Sequence, residues 1–439
     1  MPRNPVVAEL ISQACETRGW GPSELARALG MAESGDPRRL QRQHARRWMI
    51  GERSPEHWWP YIAQVLNLDP ESINLPETGP GELLTDTVAS VLCLGRSDVD
   101  RRIFITASSG YALAALGLPD PESIIRRTRG TPAGAVRVGR GEVAAVKQMV
   151  KALGDSASEL GGGHARHLAV RYLTEDVRPW LNGRFTAATG RELYAAASQL
   201  VHLAGWMAQD EGDTPHLRGL AQGYYAHAFR LAAEAGEPEL SATALRGLAV
   251  QCVELGFRAE AVQLGEACVE YGGHVRNGRA VAYYEATLAN AAAQDDDRRT
   301  ATRHLGLSET AIGKPTATGG ESWAAHYSPG RWAHESGMIL SRLGDLDAAE
   351  EHLHLALEIH GVDRRRTRAI VLADLGCVRL RQGDVDGALD TWSDFVECAD
   401  GIQSVKVQAA LRDMRVRLCR FQSLPRAQDL RERAGRIDG

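Results

Sequence analysis

The stretch Gly337-Met-Ile-Leu340-Ser-Arg-Leu-Gly344-Asp345-Leu-Asp-Ala-Ala349-Glu-Glu-His-Leu353-His-Leu-Ala356 returns in step as Gly376-Cys-Val-Arg379-Leu-Arg-Gln-Gly383-Asp384-Val-Asp-Gly-Ala388-Leu-Asp-Thr-Trp392-Ser-Asp-Phe395. Positions 337 and 376 are offset by 39 residues. Self-similarity at such a period marks an array of helical pairs, each unable to bury its apolar face without its neighbours. Small residues are required where the two helices of a pair cross, and the Gly-Asp step between them permits a tight reversal. The same frame fits Ala249, Cys252, Gly256, Ala261 and Cys268, and more loosely Ala289, Ala292, Asp296, Ala301 and Leu305.

Working outward, Gly141 to Leu153 with His164 to Trp180, and Arg191 to Gln209 with Pro215 to Ala235, read as two further pairs. Val405 to Phe421 and Pro425 to Ala434 form a more polar closing pair suited to a cap, so about six pairs are expected over residues 140–439. The insertion Lys314 to Gly320, rich in Gly, Pro, Ser and Thr, widens one gap. This frame resembles the tetratricopeptide repeat. Its spacing exceeds the usual ~34 residues, which implies lengthened loops and an irregular superhelix.

The bulk properties agree with an all-α chain. Of the 439 residues, 44% are hydrophobic, 24% charged and only 6% aromatic, which suits close-packed small-residue helices. A net charge of −5 gives no global attraction to nucleic acid, so any such contact must be local. Seven scattered cysteines without a C-x-x-C pair argue against a disulfide framework or a zinc site. Met1 to Asn4 leads straight into an amphipathic segment, which predicts no signal peptide. The run from Arg101-Arg102-Ile103-Phe104 to Leu118 imitates an export signal but lies deep in the chain, and is expected to be a buried linker segment. A cytoplasmic protein without a membrane span is the expectation.

Four helices are predicted within residues 1–75. Val6 to Glu16 carries the first, stopped by Gly19-Trp20-Gly21. Pro22 opens a second, running through Leu25, Ala26 and Leu29 to Gly30. Asp36 reads as an N-cap with Pro37 at the first helical position of a third helix continuing to Met49. A fourth runs from Pro55 or Glu56 to Leu68. Between Arg38 and Arg53 stand six arginines against the single acid Glu52. On the third helix Leu40 or Gln41, Ala45 and Trp48 should pack inward, leaving Arg38, Arg39, Arg42, Gln43, Arg46 and Arg47 outside. Arginine forks take guanine O6 and N7 together, glutamine pairs with an adenine edge, and both hold phosphates. The bland reading is a solvated basic helix.

Here the sequence resembles the XRE (Cro/repressor-like) helix-turn-helix family, through Leu25-Ala26-x-x-Leu29-Gly30, Ala45-Arg46-Arg47-Trp48-x-x-Gly51, Pro55 and Ile62-Ala63-x-x-Leu66. The resemblance implies double-stranded DNA as partner and a homodimer on palindromic sites, with Arg38, Arg39, Arg42, Gln43, Arg46, Arg47 and Arg53 as DNA-binding residues. The stretch Met31 to Gln43 is longer than the family's usual turn. The whole layout resembles actinobacterial regulators that join such a head to tetratricopeptide repeats, with Gly161-Gly-Gly-His164-Ala-Arg166 and Leu203-Ala-Gly-Trp206-Met207 similar to stretches of that class. It is also similar in architecture to peptide-sensing quorum regulators.

Residues 76–139, punctuated by Pro76, Gly79, Pro80, Pro119, Pro121 and Pro132, read as an irregular connector carrying helices at Glu82 to Leu94 and Glu122 to Arg129. On the repeats, Tyr283, Tyr284, Asn290, Trp332 and Arg379 are candidate contacts for a peptide, small molecule or protein; ordinary packing between repeats is the simpler reading of each. Neither His164/His167 nor His352/His354 has zinc-site spacing, Gly161-Gly-Gly163 lacks the preceding strand of a phosphate loop, and Asp295-Asp-Asp297 reads as a solvated turn. No nucleophile motif stands out, so neither an enzyme nor a cofactor is expected. Two functions remain: a ligand-responsive DNA-binding regulator, or an interaction scaffold with a head that does not bind DNA.

Overall fold

The computed structural model describes residues 11–12, 14–15, 18–34, 36–49, 58–66, 86–100, 111, 116, 120, 122–130, 135–212, 214–314, 323–360, 364–402 and 404–437. These residues form an all-α chain. Its one sheet-like pairing among them is an isolated bridge between Arg137 and Arg184. The chain divides into two compact units, Met1–Thr85 and Asp86–Gly439.

In the first unit, helical residues at 11–12 and 14–15 precede α1 (Pro22–Ser34), α2 (Arg42–Met49) and α3 (Trp59–Leu66). Gly19, at φ 65°, turns the chain, and Trp20 N donates to Cys15 O at 2.8 Å. The core joins Ile11, Cys15, Leu25, Ala26, Leu29, Leu40, Ala45, Trp48, Ile62 and Leu66. Two expectations fail here. First, Gly30 does not end α1, which continues to Ser34; a side chain at Gly30 would meet Asp36 O at 2.5 Å, so this glycine lets the following turn lie directly on the helix. Second, Asp36 does not open the next helix. Its Oδ1 accepts from Arg38 N at 2.9 Å and its carbonyl from Arg39 N at 3.1 Å, which closes a turn and carries Leu40 into the core before α2 starts at Arg42.

The second unit begins with α4 (Thr87–Asp100) and α5 (Ser123–Gly130). Asp86 Oδ1 accepts from Val88 N and Ala89 N, which sets the start of α4. The helix runs past the expected end at Leu94, and Gly95 within it lets Thr174 and Leu173 pack directly on its backbone. Within the imitation export signal, Tyr111 and Leu116 are buried and the other residues lie outside those described. No helix among the described residues is long and apolar enough to cross a membrane.

Next come α6 (Arg140–Leu160), α7 (Gly162–Tyr172) with a wide turn Leu173–Val177, and α8 (Arg178–Leu181). Stacked hairpins follow: α9 (Ala187–Glu211) with α10 (Pro215–Ala235), α11 (Pro238–Leu255) with α12 (Arg258–Gly272), and α13 (Gly278–Gln294) with α14 (Arg298–Ile312). A short turn Ala324–His326 leads to α15 (Pro329–Leu343) with α16 (Leu346–Ile359), α17 (Arg365–Gln382) with α18 (Val385–Ala399), and α19 (Val405–Leu418) with α20 (Pro425–Ile437). Each pair touches the next through both its helices.

One chemical device makes the reversals. Gly256, Gly344 and Gly383 adopt φ of 81°, 85° and 90°, the left-handed conformation that costs other residues about 1 kcal/mol. Asp296 takes the same place at φ 63°, held in a conformation that Asp tolerates better than most residues. In each turn the next N–H reaches back to a carbonyl five residues earlier, as in Asp345 N to Leu340 O at 3.0 Å and Asp384 N to Arg379 O at 3.0 Å. Asp297, Asp345 and Asp384 then cap the following helices, each typically worth ~1 kcal/mol. Asp295–Asp297 is thus a structural turn, more than the solvated loop expected of it.

Candidate nucleic-acid interface

Helix α2 is amphipathic by construction. Ala45 and Trp48 are buried, Trp48 lies against Trp58 with ring centres 6.1 Å apart, and Ser12 Oγ donates to Met49 O at 3.0 Å, fixing the helix end. Because side chains four apart share a face, Arg42 with Arg46 and Gln43 with Arg47 form two rows on the opposite side. All four are exposed, as are Arg38 and Arg39 in the preceding turn. Arg39 Nε is 3.2 Å from Glu33 Oε2, so that arginine is steadied by an acid on α1. Arg53 lies outside the described residues.

Between α1 and the turn runs an open cleft of about 370 Å³ lined by Ser23, Ala26, Arg27, Pro37, Arg38, Leu40 and Arg42. Three guanidinium groups over an apolar floor can take an anionic backbone group while Gln43, Arg46 and Arg47 of α2 face outward. Ser23 and Arg27 were not singled out in the sequence. Their i, i+4 spacing on the polar side of α1 was the available signal.

The repeat candidates are placed differently. Tyr284 is buried; its hydroxyl donates to Glu239 O at 2.8 Å and lies 2.9 Å from Thr243 Oγ1. Trp332 is buried, donates to Ser308 Oγ at 3.1 Å and packs on His352. Asn290 accepts from Arg342 of α15, and Arg379 ties Glu350 of α16 at 2.8 Å to Thr391 of α18 at 2.7 Å. These four join neighbouring helices. Tyr283 is buried as well, beneath the guanidinium of Arg246 at 3.9 Å and 4.9 Å from the ring of Tyr327.

The two segments that resemble regulator stretches meet. Gly162 N donates to Asp210 Oδ2 at 2.8 Å, a side chain there would collide with Met207, and Arg166 pairs with both Glu211 and Asp98. Gly161–Gly163 therefore serves a helix crossing. Compared with known proteins, the sequence matches no family model and no curated relative.

Proposed function

We propose that this chain is a sequence-specific DNA-binding transcriptional regulator of the XRE type, non-enzymatic and acting as a homodimer. Its helix-turn-helix head reads the major groove through α2, and its tetratricopeptide-like domain senses a peptide, small molecule or protein. The carrying observation is the geometry of α2: two exposed rows, Arg42/Arg46 and Gln43/Arg47, on a helix anchored by buried Ala45 and Trp48. A recognition helix needs that combination of apolar inner face and base-reading outer face. In a chain of net charge −5 the cations gathered here supply the local positive field that phosphate contacts require.

The test is a sequencing-based selection of bound duplexes followed by gel shifts at several salt concentrations. The wild-type protein should enrich one motif over random DNA, and Arg42→Ala with Arg46→Ala should weaken binding at least tenfold and flatten the salt dependence. Equal binding of all sequences, or a folded double variant that behaves as wild type, removes this reading in favour of a scaffold.

A further inference from the structure

The first helices of four successive pairs bring one polar cluster together. Arg246 of α11 donates from Nη2 to Glu335 Oε1 of α15 at 2.8 Å, and Arg331 Nε reaches the same oxygen at 3.3 Å. The Tyr327 hydroxyl donates to Glu335 Oε2 at 2.8 Å. The Arg246 guanidinium lies on the ring of Tyr283 from α13, and that ring is 4.9 Å from Tyr327. Burial pushes the Glu335 carboxyl up, but Arg246 and Arg331 more than reverse this and hold it below the usual carboxylate range, so it is ionised. Two guanidinium groups thus face one carboxylate. The cluster keeps one surplus positive charge.

It also keeps unsatisfied polar atoms. Arg246 Nε is buried with no hydrogen-bond partner among the described residues, and so is Nδ1 of His202 on α9, a side chain only 8% exposed. Buried donors and acceptors in native proteins are nearly always paired, so an unpartnered guanidinium N–H beside a surplus charge points to a missing partner. Burial first, then Arg246 and Arg331, push the His202 pKa down to about 3, which keeps the ring neutral with one donor and one acceptor to offer. The cluster opens on one side: Arg331 is 37% and Glu335 27% exposed, against 11% for Arg246. One helical turn from His202, half-buried Trp206 lies 5.7 Å from Trp323.

We propose that this cluster is a carboxylate-binding site, with Arg246 and His202 as its floor and Arg331 at its mouth, for an acid carried on an apolar body. The source is either a small aromatic acid or the C-terminal carboxylate of a peptide. A monoanion neutralises the surplus charge, whereas a phosphate dianion would leave an uncompensated negative charge in a partly buried place. The planar Nε edge of an arginine matches carboxylate oxygens, and the tryptophan pair covers the apolar body. This deepens the ligand-sensing part of the function proposed above but uses no DNA-binding residue.

The test uses the full chain without DNA, so its failure is separate from any failure of operator binding. Tryptophan fluorescence and thermal shift are followed with four probes: 3-phenylpropionate, its primary amide, N-acetyl-Leu-Phe as the free acid, and the same dipeptide as its amide. At least one acid should bind, with its amide roughly tenfold or more weaker, and the preferred acid identifies the source. Arg246→Gln and, at the exposed mouth where folding is less at risk, Arg331→Gln should each weaken the acid by a similar factor and leave amide binding unchanged. No binding by either acid at millimolar concentration overturns the proposal. So does equal binding of acid and amide, or a folded Arg331→Gln protein that binds the acid as wild type does.

Discussion

Arg366, in the first turn of α17, donates from Nη2 to both carboxylate oxygens of Asp210 near the end of α9, at 2.8 and 2.7 Å, with 8% and 2% of the two side chains exposed. The same arginine reaches Ser404 Oγ through Nε at 3.0 Å and Ser158 O through Nη1 at 3.4 Å, while Asp210 also accepts from Gly162 N. The clasp therefore ties α6 and α7 at one end of the array to α17 and the entry of α19 at the other. The row of first helices bends until α9 meets α17 and the entry of α19.

Removing Asp210 strands the Arg366 guanidinium in the interior, whereas removing Arg366 leaves Asp210 with Gly162 N and with Lys406 Nζ at 3.6 Å. Asp210→Asn should destabilise the second unit by about 3–5 kcal/mol, the usual cost of a broken buried ion pair, and Arg366→Met by less, since Lys406 still faces Asp210. The double variant Asp210→Leu with Arg366→Met should recover part of that loss, since only the half-exposed Lys406 is then left without its acid. Urea denaturation followed by far-ultraviolet circular dichroism reads the three midpoints. If Asp210→Asn lowers the unfolding free energy by less than a tenth of that cost, the clasp does not hold the array closed.

In the head, Gly30 offers a test whose sign is informative. Within an ordinary helix, Gly→Ala stabilises by roughly 0.5–1 kcal/mol. Here the new methyl group would stand 2.5 Å from Asp36 O and 3.3 Å from Arg39 Cβ. Gly30→Ala should instead destabilise the head by about 1–3 kcal/mol through overpacking and shift the turn that delivers α2. Hydrogen exchange across α1 and α2 should accelerate while α9 to α18 stay protected. Slower exchange in α1 would mean that the turn does not lie on Gly30.

The parts of this architecture that were legible in the sequence are those governed by local chemistry. A left-handed glycine followed by a capping aspartate is specified by two adjacent residues, so Gly344-Asp345 and Gly383-Asp384 announced their turns. Asp36-Pro37 sends an equally local signal and misleads, because Leu40 four residues on is worth more in the core than a longer exposed helix end. Arg246 and Arg366 could not be picked out at all. A charged residue in a helix reads as solvated until the fold reveals which helix lies across from it, and Asp210 is 156 residues from its partner. Tyr283 drew notice as an aromatic residue on a first helix; the cations around it did not, because the chain holds 51 arginines and lysines.

The buried histidine gives the last expectation, and its direction follows from linkage. His202 is packed against Tyr225 of α10 with ring centres 5.2 Å apart, and the charges of Arg246 and Arg331 act on it. Burial and those two cations push its pKa down to about 3, whereas in the unfolded chain it returns to about 6.5. Between those values the unfolded chain binds a proton that the folded chain refuses, so stability falls as pH drops from about 6.5 toward 3 and is insensitive to this group above that window. Carboxylates titrate in the lower part of the same range, so the comparison must be differential. His202→Gln removes the titration and nothing else of charge. Its unfolding midpoint should therefore lose less than that of wild type between pH 6.5 and 4.5, with the two curves parallel from pH 7 to 8. Parallel curves throughout would mean that His202 takes up a proton in the folded protein as readily as in water, and that the inner face is more open than its packing requires.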